Sequence, residues 1–223
     1  MKRIAISVAL LLPITAFAAD TAQERLDAAA TVFSEIMSTP DKGIPQDLLA
    51  KSQCVVIVPG LKKAAFVVGA EFGRGFAECR HQDGTGWGAP GSVRIEGGSW
   101  GLQIGGSSTD VVMLVMNRDG MNKLLGDKFT LGADASVAAG PVGRTTSADT
   151  DVKMTAEILA WSRAKGIFAG ISLSGATLRN DADANAELYG HKIDNKDVLN
   201  GNTARPAGAQ KLITLLDKYS ARK

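Results

Sequence analysis

The sequence predicts an α+β fold: a strongly curved or barrel-like, mainly antiparallel sheet, with an N-terminal amphipathic helix, one short mid-chain helix and C-terminal helices. Three observations lead there. Residues 20–38 carry helical periodicity, residues 54–178 are short apolar runs cut by glycine, and residues 183–219 return to helical spacing. Glycine supplies 25 of 223 residues, well above the usual ~7%, and glycine spread through apolar runs marks strands that bend or approach one another closely. Parallel βαβ units are disfavoured, because they need long helices between strands and only one short helix is available.

In chain order, Lys2-Arg3, an apolar run over 4–12 and the small-residue site Ala16-Phe17-Ala18 read as a secretory signal peptide, residues 1–18, cleaved near Ala18. Its apolar core is shorter than the roughly 20 residues of a spanning helix. The expectation is a bacterial exported chain, periplasmic or secreted and soluble after cleavage. Thr21-x-x-Glu24 is a capping box, and Leu26, Ala29, Ala30, Phe33, Ile36 and Met37 share one helical face. The polar face holds Glu24, Asp27 and Glu35 against Arg25 alone, which favours packing on the domain over lying on a membrane, where lysine and arginine are usual. Strands are expected at 55–58, 64–71, 75–80, 92–96, 99–105 and 110–116. Asn117 caps a short helix stopped by Gly126, and strands resume at 129–139, 142–146, 153–162 and 166–173. Helices follow at 183–189, 194–199 and 206–221, the last opening on Pro206.

Charge excludes one class of partner. Removing residues 1–18 takes Lys2 and Arg3 from 25 basic residues and leaves 23 against 23 acidic, so the remaining chain is neutral and no nucleic-acid partner is expected. Enzyme motifs are mostly missing: there is no phosphate loop and no His-Glu-x-x-His. His81 and His191, the two histidines, sit in polar stretches and do not make a metal site; no cofactor is expected. Asp181, Asp183 and Glu187 have neither the glycine nor the distant glutamate of a calcium loop, so helix capping is the preferred role. Cys54 and Cys79, in an oxidising compartment, are read as a disulfide; the alternative is two buried free thiols. Lys62-Lys63 interrupts apolar material where a loop would expose it, with Leu61 and Arg74 beside it and Arg80 and Arg94 as further neighbours. Each such lysine contributes on the order of 1 kcal/mol near an anionic membrane.

Three motifs in order carry a resemblance. They are Pro59-x-x-x-Lys63-Ala-Ala-Phe-Val-Val-Gly69-Ala-Glu71-Phe-Gly73-x-Gly75, then Trp100-Gly-Leu-Gln103-Ile-Gly105, then Leu173 through Asp181 and Asn185 to Tyr189-Gly190. Together they resemble the SYLF domain over about residues 26–201, within a single domain spanning 19–223 that ends in the helix at 206–221. The resemblance implies a non-enzymatic lipid-binding domain; eukaryotic members bind phosphatidylinositol phosphates, and some bind actin. Lys62 and Lys63 match the family's basic position, while Gly69, Glu71, Gly73, Gly75, Trp100, Asp181, Asn185, Tyr189 and Gly190 are read as structural. Actin is not expected as a partner in an exported setting. The expected function is contact with phospholipid head groups or a membrane surface through Lys62, Lys63, Leu61 and Arg74; the alternative is an envelope module that docks a protein partner.

Overall fold

A computed structural model describes residues 20–39, 43–141, 155–164, 167–169 and 173–220, with backbone alone at 65–68, 99–105, 167–169 and 201–202. The expected signal peptide, the strand expected at 142–146 and the side chain of Trp100 lie outside the described residues. The fold is α+β, as expected. Helix α1 (Ala22–Ser38) and the short α2 (Gln46–Lys51) lead into two long strands, β1 (Cys54–Cys79) and β2 (Gly91–Val115). Helix α3 (Arg118–Leu124) follows, then β3 (Lys128–Thr130), β4 (Val137–Ala139), β5 (Ile158–Ala164), β6 (Ile167–Ala169) and β7 (Thr177–Asn180). Helix α4 (Ala182–Tyr189), the turn α5 (Asn195–Asp197) running into a π-turn at Val198–Asn202, and α6 (Gln210–Tyr219) complete it. Pro206 stands ahead of the last helix in extended backbone, and a 3₁₀ turn at Ala207–Ala209 intervenes.

The described strands form one seven-stranded sheet in the order β3-β7-β2-β5-β4, with β1 on β2 and β6 on β5; all pairings are antiparallel except β4 with β5. The six strands expected between 55 and 116 are two. Pro59-Gly60 does not end a strand, because the extra residue is taken up as a bulge between Val58 and Leu61. Gly60 adopts the left-handed φ of 57°, and its N–H donates to Asp110 Oδ1 at 3.0 Å.

Strand β1 curls until its second half lies against its first. A Cβ on Gly75 would sit 2.0 Å from the Ile57 carbonyl oxygen, and one on Gly73 2.7 Å from Val58 Cγ1. Only glycine permits that approach. The curl closes where Arg80 N–H donates to Gln53 O at 2.9 Å and where Cys54 and Cys79 form a disulfide.

Alternation then builds two cores on opposite faces of the sheet. Val56, Val58, Leu61, Ala77, Val93, Ile95, Met113 and Leu178 fill the concave inside. Val55, Ile57, Phe76, Val112, Leu114 and Trp161 face outward under α1, α2 and α6, against Leu26, Phe33, Leu49, Leu212 and Leu216. Each valine, leucine, isoleucine, methionine or phenylalanine among them stabilises by roughly 1.5–3 kcal/mol on burial. Arg80 locks the helices to the sheet: its guanidinium donates to the carbonyls of Leu49, Ala50 and Ser52 around the end of α2 and to Ser220 after α6, at 3.1–3.4 Å. A cation at two helix C-termini opposes both dipoles. It also lies 4.3 Å over the ring of Trp87, a core residue whose Nε1–H donates to Ser220 Oγ.

Candidate functional site

A groove of about 490 Å³ opens on the outer face between the start of α1 and the bulged part of β1. One wall is Asp20, Glu24, Arg25 and Ala28; the other is Pro59, Gly60, Lys62, Phe72, Gly73 and Arg74. The capping box holds the first wall in place: Thr21 Oγ1 accepts from Glu24 N–H at 3.1 Å, and the Glu24 carboxylate accepts from Thr21 N–H at 2.8 Å. Those hydrogen bonds hold the Glu24 carboxyl below its ordinary range. Glu187 of α4 reinforces the cap by accepting from Ala22 N–H at 2.8 Å. Farther along, Arg163 of β5 donates to Glu35 of α1 at 2.5 Å and to Asp110 at 3.0 Å. Asp110 also holds the Gly60 bulge, so one carboxylate couples helix, bulge and β5. Nothing local in the sequence links Glu35, Asp110 and Arg163; curling of the sheet brings them together.

The two lysines do not form one cluster. They lie inside β1, opposite Ser108 and Ser107, and adjacent strand residues point to opposite faces. Lys62 is exposed on the outer face at the groove rim. Lys63 turns inward and pairs with Glu71 at 2.7 Å. Leu61 corrects a second expectation: it is fully buried, because the bulge returns it to the inner face beside Val58, so it does not reach a membrane. The apolar side chain that does project is Phe72, 46% exposed and the one large exposed hydrophobic among the described residues. Phe72 and Arg74 are two apart in a strand, which puts them on one face; that spacing was the signal available in the sequence. The Arg74 guanidinium lies 5.9 Å from the Phe72 ring, and its Nε pairs with Asp181 at 3.0 Å.

Four of the other motif residues join or end elements of the fold. Asp181, fully buried, caps α4 by accepting from Ala184 N–H. Asn185 Oδ1 accepts from Ser92 N–H at 2.8 Å and its amide donates to Ile193 O and Asn195 Oδ1, tying α4 to β2 and α5. Tyr189 O–H donates to Pro90 O at 2.7 Å, and Gly190 ends α4 with φ 75°. Gly69 pairs with Ser99 in the ladder, and Trp100 with Val68. Among the described residues, no three acidic, histidine or cysteine side chains gather as for a metal ion. No helix there is long and apolar enough to cross a membrane.

The model of the family Ysc84, described as "Las17-binding protein actin regulator", matches residues 96–219. The human "SH3 domain-containing YSC84-like protein 1" is 35% identical over 192 residues, covering 84% of this chain and 55% of that protein. An SH3 domain-containing protein of Schizosaccharomyces pombe is 38% identical over 178 residues, covering 78% of this chain and 41% of its own length. The "LAS seventeen-binding protein 3" of Saccharomyces cerevisiae is 32% identical over 180 residues, covering 79% of this chain. The chain spans 55% of the human relative and 39% of the Saccharomyces one.

Proposed function

Because the chain belongs to the Ysc84 family of SYLF domains, we propose that it is a non-enzymatic, exported lipid-binding domain that contacts phospholipid head groups at the rim of the α1–β1 groove. Lys62 and Arg74 supply the positive charge, and Phe72 inserts at the boundary between head groups and acyl chains. The observation that carries this reading is the exposed Phe72 on the same groove wall as Lys62 and Arg74. An aromatic left in water on a wall that also carries two cations gains burial at a bilayer surface, where each cation adds about 1 kcal/mol. Export is supported by the N-terminal pattern of Lys2-Arg3 and an apolar run, and by the Cys54–Cys79 disulfide, a bond of oxidising compartments.

Asp20 and Glu24 on the facing wall favour a second reading, a protein segment that carries both signs of charge. The family's description associates it with actin regulation through a partner protein, and docking of a protein here would keep that role in kind. Sedimentation with phosphatidylglycerol vesicles separates the two. Lys62→Glu is expected to weaken binding by roughly tenfold or more, Phe72→Ala to weaken it further, and Lys63→Gln, which alters the inner face, to leave it unchanged. Undiminished binding by Lys62→Glu, or none by the unaltered protein, contradicts the lipid reading.

A further inference from the structure

Beyond the groove, the ladder register lines up four basic residues across four adjacent strands. Arg74 of β1 stands opposite Arg94 of β2, Arg94 opposite Arg179 of β7, and Arg179 opposite Lys128 of β3. Directly opposed residues share a face. Their neighbours Val93, Ile95, Leu178 and Phe129 point into the inner core, so the basic row lies on the outside. At about 4.8 Å between strands, the row is roughly 14 Å long.

Like charges set opposite one another weaken a sheet, and the chain offsets them only in part. Glu96 takes Arg94 at 2.9 Å and Arg179 at 3.3 Å, and Asp181 takes Arg74 at 3.0 Å. Two carboxylates thus serve three guanidinium groups, and Lys128 is exposed at the end of the row. The side chains of Arg74 and Arg179 remain 37% and 40% exposed. Phe72 stands opposite Glu96, in the row alongside.

We infer that this row is a docking face for phosphate groups and that its occupant is the surface of an anionic phospholipid bilayer. The inference rests on the lipid reading above and extends the contact from one groove to a four-strand face. Phe72 decides between sources of phosphate: an exposed aromatic gains nothing from a small anion in water and is buried by a bilayer. Four aligned cations also suit an array of head groups better than a single one.

The test uses the full protein, vesicles of equimolar phosphatidylglycerol and phosphatidylcholine, and the variant Lys128→Gln/Arg179→Gln. Both positions lie on strands β3 and β7, away from Lys62 and the groove. Binding is expected to weaken about tenfold at low salt, with a shallower salt dependence and an unchanged melting temperature, and Arg179→Lys is expected to restore most of it. Full binding by the double variant overturns the basic row and leaves the groove standing. No binding by the unaltered protein overturns both. Complete displacement from vesicles by soluble tripolyphosphate at matched phosphate, with Phe72→Ala behaving as the unaltered protein, overturns the bilayer as occupant.

Discussion

Cys54→Ala/Cys79→Ala is expected to lower stability by about 3.5 kcal/mol, the chain-entropy value for a cross-link closing a loop of this length. The two cysteines are 25 residues apart and stand at the two ends of one strand. Both are fully buried in the inner core, which is why alanine rather than serine is the appropriate replacement. The bond does more than shorten the unfolded chain. It closes the curl of β1 beside the Arg80–Gln53 hydrogen bond, and the Gly73 and Gly75 approach to Val58 and Ile57 depends on that closure. Urea titration of the variant should show a lower midpoint and a larger dependence on denaturant, since the uncrosslinked chain exposes more surface. A loss under about 1 kcal/mol would mean that the glycines hold the curl unaided.

Glu78→Gln is expected to stabilise the protein at neutral pH and to leave it unchanged near pH 4. Glu78 is fully buried on the helix-covered face of β1, and neither carboxylate oxygen has a hydrogen-bond partner among the described residues. Desolvation drives its carboxyl well above the ordinary glutamate value of 4.5; Arg205 opposes that shift and Asp217 adds to it. Burial likewise pushes the neighbouring Tyr189 phenol up, with the charge of Glu78 the second cause. Below pH 4.5 the residue is neutral in folded and unfolded chains alike, and it carries no penalty. As pH rises, the unfolded chain releases the proton first. Folding stability then falls by as much as about 1.4 kcal/mol per pH unit until the folded carboxyl also ionises. Glutamine cannot ionise, so the gap in melting temperature between variant and unaltered protein should open from pH 4.5 upward. A gap that is constant with pH would show that folding leaves the Glu78 carboxyl unshifted, and a gap that closes or reverses would show that it is charged and paired.

Helix α1 was legible because its signals are local: Thr21 and Glu24 are three residues apart, and Leu26, Phe33 and Ile36 follow helical spacing. The curled sheet was legible from its glycines, which the structure uses at Gly73 and Gly75 for close approach. Strand number was not, because Pro59-Gly60 looks like a stop and is a bulge within strands far longer than the usual five or six residues. The same bulge explains the misreading at the site. Adjacent lysines in a loop would share a surface, whereas in a strand Lys62 and Lys63 part to opposite faces and Leu61 is buried. Arg94, expected as a neighbour of the two lysines, stands opposite Arg74 in the ladder, while Arg80 went to the core, where the carbonyls ending α2 and α6 need a donor. Its fate depended on helices over a hundred residues apart in sequence, which no local pattern reports.

The most direct test of the central claim is an environment-sensitive dye placed at the groove rim through Phe72→Cys, with a second placed through Thr85→Cys in the exposed turn after β1 as reference. With anionic phosphatidylglycerol vesicles the dye at position 72 should shift to the blue and the dye at position 85 should not, and neither should respond to phosphatidylcholine alone. A dye at position 72 that keeps its emission in water while the protein sediments with the vesicles would contradict the assignment of this face to the membrane.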